Sequence, residues 1–150
     1  MTKFKLDWVL KDEIAIGPAP RKKIHFEYLR QKNIKSILNL CNEEEAPILE
    51  GVEETFHFKR FTLPDHKVNK NILVSEINES IEIISILKRN GPVFVHCFAA
   101  VERSPLICMA WLVVKNKISP QRALDYLMQV HPRTNPLPSQ FKLLSELNKY

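Results

Sequence analysis

Short apolar runs, too brief to be helices, alternate along this chain with longer segments of helical periodicity, and few folds accept that alternation. Glu13-Ile14-Ala15-Ile16-Gly17 is apolar and ends in Gly17-Pro18, a strand entering a turn. Ile24 to Gln31 is a short helix with Ile24, Tyr28 and Leu29 on one side. Ser36-Ile37-Leu38-Asn39-Leu40-Cys41 is a buried strand, ended by the acidic run Glu43-Glu44-Glu45 and Pro47. Phe56 to Leu63 alternates in part and stops at Pro64. Asn71 to Arg89 is the longest helix, because Leu73, Ile77, Ile81, Ile84 and Leu87 recur at spacings of three and four, and Gly91-Pro92 ends it. Val93-Phe94-Val95-His96 is again a strand. Ser104 to Lys115 follows as a helix with Pro105 in its first turn, where proline is tolerated. Ser119 caps another helix, with Pro120 at its first position, running to about Val130. Ser139 caps the last, through Leu147.

Strands alternating with helices imply an α/β fold: a central sheet of four to five strands, mainly parallel, flanked by helices. The 150 residues supply one hydrophobic core, so residues 1–150 are expected to form a single domain. At the N-terminus Asp7 and Lys11 interrupt what a signal peptide would need as an apolar core. The most apolar stretch, Val93 to Val114, contains His96, Glu102, Arg103 and Pro105, so no membrane span is expected. Three cysteines build no disulfide framework, and the odd count leaves a thiol free, which suits a reducing, cytoplasmic setting. The net charge of +5 suits acidic partners (phosphorylated molecules, nucleic acid or an anionic surface) or simply a soluble surface.

One strand-to-helix junction concentrates chemistry. In His96-Cys97-Phe98-Ala99-Ala100-Val101-Glu102-Arg103-Ser104-Pro105, a cysteine stands at the carboxyl end of a buried strand and an arginine six residues later opens a helix. Ligands of parallel sheets bind beyond the carboxyl ends of the strands. A short loop ending on a helix N-terminus can turn its backbone N–H groups inward as an anion cradle, aided by the helix dipole. Arg103 can hold two phosphoryl oxygens bidentately. The same positive field favours a thiolate, which places a nucleophile at the floor of a phosphate site. For Cys41 and Cys108 the simpler reading is a small buried hydrophobe.

His96-Cys97-(x5)-Arg103-Ser104 resembles the signature loop of the cysteine-dependent protein phosphatases. The short chain points to the small, atypical members of the dual-specificity branch. Ile14-Ala15-Ile16-Gly17-Pro18, Ile37-Leu38-Asn39-Leu40 and Pro138-Ser139-Gln140-Phe141 resemble that branch's first strand, second strand and last helix. The resemblance implies that Cys97 attacks phosphorus and forms a cysteinyl-phosphate. It implies that Arg103 binds the phosphoryl oxygens, within a loop of His96, Cys97, Phe98, Ala99, Ala100, Val101, Glu102 and Arg103. Ser104 would donate a hydrogen bond to the sulfur, and it also suits a helix N-cap. His96 either orients the loop or is a satisfied core histidine. Asp65, in Leu63-Pro64-Asp65-His66, follows a predicted strand end and stands where the resembled family carries its general acid; a turn residue is the plainer alternative. His66 is a pairing partner for Asp65. Arg133 falls where the branch often has a second phosphate-facing arginine, and it equally suits a helix C-terminus.

Other charges have plainer readings. Glu43 to Glu45 either hold Arg103 or form a solvated acidic loop, and the solvated loop is preferred. Arg21-Lys22-Lys23, Lys59-Arg60 and Lys67 form a solvated basic surface or draw in acidic substrates. Two residues depart from the resembled loop. Ala100 stands where glycine is usual, at about 1–2 kcal/mol if the backbone needs a positive φ. Glu102 brings negative charge to a site for dianions, unless it points to solvent.

The expected activity is phosphomonoester hydrolysis of the dual-specificity or tyrosine phosphatase type, on a phosphorylated protein or another phosphomonoester. The alternatives are a phospho-ligand-binding module without turnover, a phosphoinositide or RNA 5′ phosphatase, and a sulfurtransferase; Asp65 and the loop length argue against the last. No metal site and no cofactor are expected, since no second Cys/His pair has ligand spacing. Specific nucleic-acid binding is not expected either, for want of interleaved aromatic and basic residues. The chain is expected to be a monomer.

Overall fold

Three four-residue strands, β2 (Ile14–Gly17), β3 (Ser36–Asn39) and β5 (Val93–His96), are buried at every residue in the computed structural model, which describes residues 3–147. A strand that exposes neither face belongs in the interior of a sheet covered on both sides. These three form the parallel centre of a five-stranded sheet of order β1-β2-β5-β3-β4. β4 (His57–Arg60) extends it in parallel at one edge, and β1 (Asp7–Leu10) closes the other edge antiparallel to β2. The sheet is therefore mainly parallel, as expected.

Side chains alternate across each strand, so one strand feeds two cores. Ile14, Ile16, Leu38, Val93 and Val95 enter one cluster, and Ala15, Ile37 and Phe94 enter another. The first cluster packs under α3 (Val74–Leu87), α4 (Arg103–Lys115) and α5 (Pro120–Val130). The second packs under α1 (Lys23–Gln31) and α2 (Val52–Thr55), through Leu29 and Val52. α4 is buried from Arg103 to Val114, which explains why its sequence is apolar on every side. α6 (Pro138–Leu143) and a 3-10 turn at Leu144–Glu146 complete the described chain. No helix among the described residues is long and apolar enough to cross a membrane.

β5 lies at the centre, and its last residue, His96, stands level with Gly17 on one side and Asn39 on the other. The close packing needs glycine at 17: a Cβ there would come within 2.9 Å of the Phe94 ring and 3.0 Å of the Lys5 carbonyl.

Several expected boundaries move. Leu73 is 54% exposed and precedes α3, because Glu76 reaches back to accept from its N–H at 2.8 Å and sets the helix start at Val74. Ile24 is 70% exposed, and Leu29 takes the inward position of α1. The strand expected over Phe56 to Leu63 is regular only at His57–Arg60; beyond it, single bonds from Phe61 and Leu63 to Asn39 and Leu40 continue the pairing. The strand expected to Cys41 ends at Asn39, whose Oδ1 accepts from the Cys41 N–H at 2.8 Å and turns the chain. Ser119 caps α5 as expected, accepting from Arg122 at 3.2 Å. Ser139 does not cap α6: Leu137 holds that position, with Gln140 accepting from its N–H at 2.9 Å.

Candidate active site

The chain leaves the sheet at the carboxyl end of its central strand, turns through Cys97 to Glu102, and enters α4 at Arg103. Cys97 is only 2% exposed, and its Sγ lies 3.2 Å from the Oγ of Ser104 in the first turn of α4. Among the described residues, no backbone N–H from Phe98 to Glu102 donates to a backbone carbonyl. The loop ends on the N-terminus of α4, which adds positive potential there.

Arg103 is 2% exposed. Its Nη1 donates to Glu45 Oε1 at 3.1 Å, to the Leu63 carbonyl at 3.2 Å and to the Leu40 carbonyl at 3.4 Å. Its Nη2 donates to Glu45 Oε2 at 2.6 Å. Its buried Nε has no partner among the described residues. Burial disfavours the cation, but Glu45 and the Cys97 sulfur more than offset that and hold its pKa above the ordinary arginine value. The hydrogen bonds from Arg103 in turn hold Glu45 below the usual carboxylate value. This corrects the solvated reading of the acidic loop: Glu45 is the counterion of Arg103. Arg60 is likewise not a plain surface charge. It pairs with Glu43 at 3.0 Å and donates to the carbonyls of Cys41 and Ala46 at 2.8 and 2.9 Å, bracing the loop that carries Glu45.

His96 is buried, and burial pushes its pKa down to about 4, so the ring is neutral at physiological pH. Its Nδ1 lies 3.1 Å from the Cys97 carbonyl, a contact that orients the loop. Ala100 adopts φ +60°, the left-handed conformation that favours glycine. It is held there from outside: its carbonyl faces His131 Nε2 at 2.6 Å, and His131 Nδ1 lies 2.7 Å from Asp7 Oδ2. One residue further along, the Val101 carbonyl accepts from the Asn135 N–H at 2.8 Å. Arg133 lies within that bracing segment and is exposed. Phe98 is also exposed, with the Arg21 guanidinium stacked 4.2 Å from its ring centroid.

Asp65 follows Leu63-Pro64 in an irregular segment and borders two clefts, of about 190 and 340 Å3. Its Oδ1 lies 2.9 Å from His66 Nδ1, the pairing expected. Glu102 does not point to solvent. Its Oε2 lies 3.1 Å from the same Nδ1, and its Oε1 accepts from the His66 N–H at 3.1 Å. One nitrogen or oxygen from each of Asp65, His66 and Glu102 lies within 4.8 Å of the others, and His66 Nδ1 is within hydrogen-bond distance of both carboxylates. The sequence reading did not foresee this group.

Of the residues singled out in the sequence, the structure brings Cys97, Arg103 and Ser104 to one junction and pairs Asp65 with His66; the two links not foreseen are Glu102 to His66 and the chain from Asp7 through His131 to Ala100. Sequence reasoning named Glu45 but set it aside. One rule would have kept it, since an arginine at a buried helix start needs a counterion. Cys41 and Cys108 are buried, as read. Burial pushes the Cys41 thiol up to about 12 and raises that of Cys108, so both behave as small core residues.

Comparison with known proteins agrees with this geometry. Residues 16–150 match the family model "Dual specificity phosphatase, catalytic domain". The chain is 28% identical over 125 residues to human dual specificity protein phosphatase 5, an alignment covering 83% of this chain and 30% of that protein. It is 30% identical over 95 residues to human dual specificity protein phosphatase 1, covering 63% and 25% respectively. The chain therefore spans under a third of the length of these curated relatives. Among solved structures it is similar to the human tyrosine phosphatase-like serine/threonine/tyrosine-interacting protein (TM-score 0.81, 21% identity, 94% of this chain and 93% of that one). It is also similar to PTPMT1 in complex with PI(5)P (TM-score 0.80, 17% identity, 94% and 92%).

Proposed function

From the premise that the chain belongs to the family of dual-specificity phosphatase catalytic domains, we propose that it is a phosphomonoesterase working through a cysteinyl-phosphate on Cys97. One observation carries this reading: at the end of the Cys97 loop, the buried Nε of Arg103 has no acceptor among the described residues. A buried donor left unsatisfied costs about 1–3 kcal/mol, and a phosphoryl oxygen would satisfy it. With Glu45 fixing both Nη atoms, the guanidinium presents that free edge in one orientation.

In the proposed reaction the Cys97 thiolate attacks phosphorus while the bond to the leaving oxygen breaks. Arg103 and the loop N–H groups take up the charge that spreads over the equatorial oxygens. Asp65, protonated, gives its proton to the departing oxygen, leaving a neutral alcohol or phenol. The Asp65 carboxylate then accepts a proton from water as that water attacks phosphorus, and the P–S bond breaks. Ser104, 3.2 Å from the sulfur, donates a hydrogen bond to the departing thiolate. Inorganic phosphate leaves, and Cys97 and protonated Asp65 are restored.

The names of the relatives support a phosphorylated protein as substrate, on tyrosine as well as on serine or threonine. Arg133, exposed beside the loop, would meet a second phosphate or an acidic flank of such a substrate. We read residues 1–150 as one monomeric catalytic domain.

Hydrolysis of an aryl phosphate with chelator present tests the proposal. The wild type should turn over and Cys97→Ser should not. Retained phosphate binding without turnover by the wild type would instead identify a binding module.

A further inference from the structure

Glu102 is a carboxylate inside a loop built for dianions, and its side chain is only 12% exposed. Its contacts run toward the segment that carries Asp65 and toward Gln140. Oε1 accepts from the His66 N–H at 3.1 Å and from Gln140 Nε2 at 3.5 Å, and Oε2 lies 3.1 Å from His66 Nδ1. The same Nδ1 lies 2.9 Å from Asp65 Oδ1. The next residue along, Arg103, donates to the Leu63 carbonyl at 3.2 Å. Two consecutive residues of the Cys97 loop therefore hold the Asp65 segment on either side of Asp65, at Leu63 and at His66.

That segment needs holding. From Phe61 to Leu73 it forms neither helix nor strand, and its own backbone bonds are few, from Val68 to Asp65 and from Lys70 to Val68. His66 is half-exposed, so packing alone does not order its ring. A proton donor must be held to within about half an ångström of its productive position, and displacement by about an ångström can cost a hundredfold in rate. We propose that Glu102 is a positioning residue: through His66 it fixes the Asp65 carboxyl over the Cys97 loop, and so couples the phosphate cradle to the proton donor. The proposal rests on the reading of Asp65 as the general acid.

Leaving-group dependence separates this role from a structural one. A proton donor matters most for a basic leaving group, so kcat/KM is measured on phenyl phosphate and on p-nitrophenyl phosphate. Glu102→Ala and His66→Ala should each lower kcat/KM about 10-fold on phenyl phosphate and less than about 2-fold on p-nitrophenyl phosphate. Inorganic phosphate binding should be unchanged in His66→Ala, whose side chain lies outside the Cys97 loop. In an Asp65→Asn background, Glu102→Ala should add no further loss. His66 is half-exposed, so His66→Ala carries the test even if Glu102→Ala fails to fold. Equal losses on both substrates, or an undiminished loss in the Asp65→Asn background, would place the effect in the phosphate loop and overturn the proposal. A damaging Asp65→Asn with silent Glu102→Ala and His66→Ala overturns the proposal alone. A silent Asp65→Asn overturns the acid reading and the proposal with it.

Discussion

The carboxylate of Glu45 grips the guanidinium of Arg103 at two points, Oε2 to Nη2 at 2.6 Å and Oε1 to Nη1 at 3.1 Å. The pair spans 58 residues of sequence and ties the turn after β3 to the first turn of α4. It leaves Nε as the one edge of the guanidinium still unpartnered among the described residues. Glu45→Gln keeps the acceptor shape and removes the charge. It should destabilise the fold by about 1–3 kcal/mol in urea unfolding and raise KM for an aryl phosphate several-fold, because Arg103 loses its fixed orientation. Unchanged KM would show that the pair is a staple only.

The buried His96 predicts how stability responds to acid. Its folded pKa, lowered by burial to about 4, lies below the ordinary 6.5. Between those values the unfolded chain binds a proton that the folded chain does not, so stability rises with pH across that window. His96 alone should remove about 2 kcal/mol between about pH 7 and about pH 5. Glu45 acts lower down: its folded pKa is depressed, so its contribution is complete above the ordinary 4.5 and is lost as pH falls through the depressed value. Urea unfolding at several pH values measures both. His96→Asn should flatten the slope between about pH 5 and 7, and an unchanged slope would contradict the assignment.

Ala100 adopts a glycine-like conformation without glycine, and His131 together with Asp7 holds it there. Ala100→Gly relieves about 1 kcal/mol of left-handed strain. It also gives up a buried methyl worth about 0.8 kcal/mol and loosens the unfolded chain. These terms nearly cancel, so the melting temperature of Ala100→Gly should stay close to that of the wild type. His131→Ala should lower kcat/KM about 10-fold, and Ala100→Gly in that background should recover part of the loss. If the second substitution deepens the loss, the strain is not what His131 restrains.

How much of this was legible in the sequence follows from distance along the chain. β2 and β5 show themselves because these central strands are apolar at nearly every residue, and β3 through the apolar pair Ile37-Leu38 with Leu40 just beyond it. The edge strand β1 (Asp-Trp-Val-Leu) carries a charge and no clear alternation, and α2 is too short for a helical period. Cys97, Arg103 and Ser104 are legible because they share one strand-loop-helix junction. The link from Asp7 to His131 spans 124 residues and that from His66 to Glu102 spans 36, and no local pattern marks either. Glu45 looked like one of three equivalent surface acids, and only the folded chain singles it out.

Ser104 sits 3.2 Å from the sulfur that must leave in the second step. Ser104→Ala should slow breakdown of the cysteinyl-phosphate more than its formation. With a good leaving group, rapid-quench kinetics should then show a burst of phenolate followed by a steady rate about 10-fold below wild type. Loss of the burst itself would place Ser104 in the first step instead.

Acid quenching during turnover of an aryl phosphate, followed by mass spectrometry of the digested protein, locates the covalent phosphate. A phosphoryl group on the peptide bearing Cys97, absent in Cys97→Ser and accumulating in Ser104→Ala, is the expected result. Turnover by a wild type whose Cys97 never carries phosphate, or turnover that survives Cys97→Ser, would contradict the cysteinyl-phosphate mechanism outright.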